Sequence, residues 1–343
     1  MRLRSNWLVA SCTALACLLL SKEAMAAEQC EVATEDRALV PAMTSNTAPS
    51  GTVTSSGSST YSPWNAFDRT NATLWLSNMN TSSVWIDYDW GNPRLVKSYQ
   101  VTYANGSCCQ ERGPKDWTLQ GWTGVAWMTL DTVSSQSGWY SNFTRKYVVD
   151  NPGAYSKYRL NITADNYNSP TYPITLVSIA EIQMYGEKVS ALVPTMTSNT
   201  APSGTVTSSS TYAPWYAFDR TTTTAWFSNG NTSSVWISYG WRAGLEKAVS
   251  SYELKYANGS CCEESGPKDW TLQGWDGFRW VTVDSVTDQT GWYANPVRSF
   301  AVDIPGCYTQ YRLNVTADNY NNPAYPVTFV SISEIQLLGS DPK

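Results

Sequence analysis

A stretch of about 150 residues occurs twice in this chain, and that duplication limits the fold more than any other feature. The run from Val40 (Val-Pro-Ala-Met-Thr-Ser-Asn-Thr-Ala-Pro-Ser-Gly-Thr) returns at Val193 with one change. Asn105 to Cys109 returns as Asn258 to Cys262, Gly113 to Trp122 as Gly266 to Trp275, and Thr163 to Asn168 as Thr316 to Asn321. The period is far too long for a solenoid and suits two whole domains. The sequence divides into a segment 1–26, an extension 27–38, a first unit 39–186, a linker 187–191 and a second unit 192–339.

Within a unit the apolar pattern is that of strands. Val84 to Tyr88, Tyr99 to Tyr103, Trp117 to Trp122, Arg145 to Val149, Tyr158 to Thr163 and Ile179 to Tyr185 read as short strands between Gly, Pro, Asn and Ser clusters. Helical periodicity is absent. The pattern predicts an all-β chain of two tandem jelly-roll β-sandwiches. Trp75, Trp85, Trp117 and Trp127, with Trp226, Trp236, Trp270 and Trp280, are the expected core rings.

Residues 1–26 read as a secretory signal. Arg2 and Arg4 precede an apolar run from Trp7 to Leu20, and Ala24-Met25-Ala26 is a cleavage site, so the mature protein is expected outside the cell. The net charge of -5, with no basic block, argues against nucleic acid and leaves at most a peripheral membrane contact. The chain has no histidine, which removes Ser-His-Asp and Cys-His catalysis and every His-ligated metal site. Among recurring carboxylates, Asp116 and Asp269 stand beside core Trp residues, and no catalytic function is expected.

Six cysteines remain after the signal: Cys30, Cys108, Cys109, Cys261, Cys262 and Cys307. Six allow fifteen pairings in an oxidising compartment. The adjacent pairs recur in both copies and close on themselves only through a small strained ring; cross-links to other loops stay open. Cys30 and Cys307 are left over, since Ala154 occupies the place of Cys307 in the first unit. Their pairing would tie the N-terminal extension to the second unit.

Several segments resemble a known family. They are Trp64 to Trp75 (Trp-Asn-Ala-Phe-Asp-Arg-Thr-Asn-Ala-Thr-Leu-Trp), Val84 to Gly91, Pro114 to Trp122 followed by Gly124 and Trp127, and Ser178 to Gly186. In that order, and twice, they resemble the discoidin or coagulation factor type C domain, which is similar to family 32 carbohydrate-binding modules and fucolectins. The resemblance implies a galactose-binding-like sandwich that binds glycans or glycoproteins. For some members the partner is phospholipid or protein, and a non-catalytic adhesion or matrix module is the alternative reading.

The resemblance also implies a structural calcium site. Asp68, Thr73 and Glu181 carry oxygen donors, and the carbonyls of Asn65, Thr70 and Ala180 would complete the set. Asp219, Thr224, Glu334, Tyr216, Thr221 and Ser333 repeat it. The plainer alternative is that Asp68 and Glu181 cap turn amides.

For the sugar, the fucolectin likeness implies vicinal disulfides at Cys108-Cys109 and Cys261-Cys262, flanked by Asn105 and Arg112 in one copy and by Asn258 and Ser265 in the other. Tyr167 or Tyr172, and Tyr320 or Tyr325, are the candidate stacking rings, with Asn78 and Asn229 as further hydrogen-bonding groups. The alternative is that these tyrosines pin their loop and the asparagines make turns. Two such sites make a bivalent lectin the leading reading.

Overall fold

The computed structural model describes Cys30 and residues 37–57, 61–104, 110–141, 143–210, 212–242, 245–257 and 263–340. The signal 1–26 lies outside them, as does the extension 27–38 apart from Cys30, Arg37 and Ala38. The described residues form antiparallel strands with short 3-10 turns and no α-helix.

The chain folds as two jelly-roll sandwiches, and alternation in one strand shows how each is built. Val84, Ile86 and Tyr88 are buried, while Trp85 and Asp89 face outward. This strand, Val84–Tyr103, serves both sheets of the first sandwich. Its first half lies between Thr52–Ser55 and Ala154–Asp165; Pro114–Trp122 and Trp127–Val133 continue that sheet. The register breaks between Asp89 and Arg94, and the second half lies between Thr144–Val148 and Ser178–Ala191. Inner faces of both sheets meet in one core that includes Trp75, Trp117, Tyr158, Leu160 and Ile182. The second sandwich repeats the order around its own core. There the long strand is divided into Val235–Gly240 and Ser251–Tyr256.

A buried hydrogen-bonded relay runs through each core. Trp117 Nε1 donates to the Tyr99 hydroxyl at 2.9 Å, which donates to Asp131 at 2.7 Å. Trp270, Tyr252 and Asp284 repeat this relay at 2.8 and 2.7 Å, and burial pushes the Asp284 carboxyl up to about 6. Trp75, Trp117, Trp226 and Trp270 are buried as expected. Trp85, Trp127, Trp236 and Trp280 are not core residues. They stand half-exposed on the outer sheet faces, where the alternation of their strands directs them.

The two sandwiches share backbone. Residues 187–191, read from the sequence as a linker, continue the strand Ser178–Ala191 and pair with the end of Ser331–Ser340 through Leu338↔Ala191 and Ser340↔Val189. Glu187 bonds Lys97 and accepts from Ser340 Oγ at 2.8 Å. Ala154 N donates to Ser299 Oγ at 2.8 Å, and Ala301 N to Pro152 O at 3.1 Å. Leu95, Ala154, Val189 and Leu338 bury a small apolar cluster in this junction. Cys30 is disulfide-bonded to Cys307, with Cα atoms 6.0 Å apart, so the N-terminal extension is tied to the second sandwich.

Candidate functional site

At one end of each sandwich, a single buried carboxylate fixes a loop that reaches across to its neighbours. In the first unit it is Asp165. Its oxygens accept the backbone N–H groups of Tyr167 at 3.0 Å, Thr175 at 2.6 Å and Leu176 at 2.8 Å. Burial raises its pKa and the three amides oppose that rise. The loop so fixed reaches its neighbours. Asn166 donates twice to Gly113 O, at 3.2 and 2.9 Å, and Lys115 Nζ donates to Asn168. Thr81 and Ile174 form an isolated bridge, and Val177 N donates to Ser77 Oγ at 3.0 Å.

Trp139 sits beneath this rim. It is fully buried, its Nε1 donates to Pro114 O at 2.9 Å, and the Arg145 guanidinium lies 4.3 Å from its ring. The strand turns past it at Gly113, where a Cβ would lie 2.2 Å from Trp139 Cδ1, so only glycine fits. Asp318, Asn319, Ser228, Trp292, Arg298 and Gly266 build the same rim in the second unit.

On this platform the tyrosines point outward. Tyr172 and Tyr325 are 41% and 42% exposed and Tyr320 is also exposed, while Tyr167 is half-buried. Asn78 and Asn229 are exposed on the neighbouring loop, where Asn229 Nδ2 donates to Ser209 O at 3.0 Å. Arg112 ends the 3-10 turn Gln110–Arg112 and is half-buried. Its counterpart Ser265 is buried, its hydroxyl 2.8 Å from that of Ser331, so the second rim has no cation at this place. Asn105, Cys108, Cys109, Asn258, Cys261 and Cys262 lie outside the described residues.

The sequence reading missed two rings on the same rim. Tyr140 and Tyr293 are 48% and 45% exposed, edge-on to Tyr103 and Tyr256 at 6.1 and 5.9 Å. The signal was present, because Gly-Trp-Tyr recurs at Gly138 and Gly291.

A second cluster surrounds Glu181. Asp68 follows the 3-10 turn Pro63–Phe67, accepts Thr70 N at 2.9 Å and is bonded by the Thr73 hydroxyl. Arg69 has φ +61°, and its N–H donates to Glu181 Oε2 at 3.0 Å while its guanidinium turns away to Val40 O. Glu181 Oε1 is buried without a partner. Burial, with Asp68 alongside, pushes this carboxyl up to about 8.

The second unit repeats the cluster. Glu334 accepts Arg220 N at 2.8 Å and is pushed up to about 9 by burial and by the charge of Asp219. Asp219 accepts the hydroxyls of Thr221 and Thr224 at 3.1 and 2.6 Å. Asn65 turns its side-chain amide to Leu74 O at 3.1 Å, Tyr216 lies in the 3-10 turn Pro214–Phe218, and Ala180 and Ser333 are buried beside the two glutamates. The paired carboxylates of each unit, with the unpartnered Glu181 Oε1 in the first, fit a hard divalent cation, which would supply the missing positive charge.

No protein-family model and no curated protein matches the chain. Solved structures do. One is a fucolectin from striped bass (Morone saxatilis) serum, at 16% identity over 87% of this chain and 98% of that one, with a TM-score of 0.37. Another is a family 32 carbohydrate-binding module of Clostridium perfringens in complex with galactose, at 13% identity over 39% and 93%, with a TM-score of 0.34. A third holds two consecutive such modules from the same organism, at 7% identity over 84% and 92%, also with a TM-score of 0.34.

Proposed function

We propose that the chain is a secreted, non-catalytic glycan-binding protein of two discoidin-type domains, with one sugar site on the loop rim of each. The observation that carries this reading is the rim itself. In both copies a buried aspartate fixes a loop whose tyrosines are presented to solvent beside asparagines. A pyranose offers an apolar C–H face and a ring of hydroxyls, which call for an aromatic plate and fixed hydrogen-bonding groups. Arg112 adds charge-assisted donors to the first site and Ser265 does not to the second, so the two sites differ in strength. The recurring carboxylates are engaged elsewhere: Asp165 and Asp318 hold the loops, and Asp116 and Asp269 accept the N–H groups of Ser135 and Asp288.

Shallow sites of this kind bind in the range of roughly 10 μM to 1 mM, and two on one chain gain avidity on a dense surface. A glycan array probed with the mature protein tests the reading. Binding to a defined terminal sugar, weakened about 3- to 10-fold per site by Tyr172→Ala or Tyr325→Ala, is expected. A blank array from folded protein would exclude it.

Calcium belongs to the same proposal. Bound between Asp68 and Glu181, and between Asp219 and Glu334, it would neutralise paired carboxylates and hold the adjoining turns. Calcium at about a hundredfold its dissociation constant should stabilise each unit by about 2.7 kcal/mol. The check is thermal melting with calcium and with chelator, for the wild type and for Glu181→Gln. An unchanged midpoint in the wild type would remove calcium from the account.

A further inference from the structure

The outer sheet faces of the two sandwiches share two tryptophans and an arginine but differ in the charged residues beside them, and that difference changes their chemistry. In the first copy Arg159 lies between two indoles, 3.7 Å from Trp85 and 4.0 Å from Trp127. It pairs across the strands with Asp87, whose carboxylate takes its Nη2 at 2.9 Å and Lys157 Nζ at 3.4 Å. Charge and ring faces are thus satisfied internally.

In the second copy the register is identical, but Ser238 stands where Asp87 does and Gln310 where Lys157 does. The Ser238 hydroxyl is taken up by Thr207 at 2.7 Å. Arg312 leans onto Trp280, 4.5 Å from its ring, and its Nε donates to Gln273. Among the described residues no carboxylate bridges Arg312, its terminal nitrogens have no hydrogen-bond partner, and no ring or cation covers Trp236. Burial alone holds its guanidinium below its usual range, with no acid opposing. At the neighbouring hairpin tip Phe278 is 91% exposed.

We propose that this face of the second sandwich, from Trp236 across Arg312 to Trp280, is a further saccharide-binding surface that takes an acidic sugar. A uronate ring stacks on Trp236, and its carboxylate receives the guanidinium N–H groups that Asp87 receives in the first copy. Planar guanidinium and carboxylate match in a two-bonded fork, and the indole supplies the apolar contact. The first copy shows the bonded state with its own side chain in the ligand's place. The surface is a sheet face rather than a loop rim and does not depend on the sites proposed above.

Titration of the full mature protein with trigalacturonate, and with neutral galactotriose as control, tests it by calorimetry. One trigalacturonate per chain is expected, weakened by salt, with no comparable binding of galactotriose at this face. Ser238→Asp installs the carboxylate already tolerated in the first copy, and it should weaken trigalacturonate binding on the order of tenfold or more, as should Arg312→Met. Tyr320→Ala with Tyr325→Ala should leave it unchanged. The proposal is overturned if trigalacturonate does not bind, if Ser238→Asp binds it like the wild type, or if only the tyrosine variant loses it. It is overturned equally if anionic phosphatidylserine vesicles bind through Arg312 and trigalacturonate does not.

Discussion

Replacing Asp318 with alanine is expected to destabilise the second sandwich by about 3–5 kcal/mol and to abolish its sugar site. The carboxylate is buried and accepts the N–H groups of Tyr320, Thr328 and Phe329, two of them through one oxygen. Alanine leaves three amides facing a low-dielectric interior, each costing about 1–3 kcal/mol unless the loop opens to water. Opening the loop breaks the contact of Asn319 with Gly266 and moves the exposed tyrosines. Asp318→Asn retains one acceptor and should lose less. Urea unfolding and sugar titration of the two variants read both effects. A loss below about 1 kcal/mol with binding intact would mean that the loop holds its shape without this anchor.

Trp117→Ala should cost the first sandwich about 3–5 kcal/mol. The indole is fully buried, packs edge-on to Tyr147 at 5.2 Å and lies 6.4 Å from Trp139. Its Nε1 also holds the Tyr99 hydroxyl in line with Asp131. Truncation therefore removes packing and a donor together, whereas Trp117→Phe removes mainly the donor. Thermal unfolding should show alanine well below phenylalanine. Equal midpoints would place the weight on the hydrogen-bonded relay instead of the ring.

The duplication and the alternating strands were readable because they are local or repeated signals. Cys30 and Cys307 could be paired on paper because only they lacked a counterpart. The exposed tyrosines of the 165–173 loop were also readable, yet the residue that shapes the loop was not. Asp165 reads as one polar residue among several, and its three amide partners come from 2, 10 and 11 residues away.

The outward tryptophans are a different failure. Val-Trp-Ile-Asp-Tyr at Val84 already places Trp85 on the face of Asp87, so strict alternation predicts an outward ring. Reading tryptophan as core by strand and family position overrode it. The sharing of Val84–Tyr103 between two sheets was hidden for another reason. Gly91, Asn92 and Pro93 signal a turn, and here they fall in a break of the ladder after which the same strand pairs again from Arg94.

The junction between the sandwiches joins unlike surfaces, and such a contact has no two-fold axis to close it. Copied onward it would generate a filament. The first sandwich does not repeat the surface by which the second one docks. The position of Ser299, whose hydroxyl accepts from Ala154, is held in the first copy by Lys146, an exposed ammonium with donors only. A further copy could not make the Ala154–Ser299 bond to the first sandwich, so Lys146 acts as a stop on a contact that would otherwise propagate.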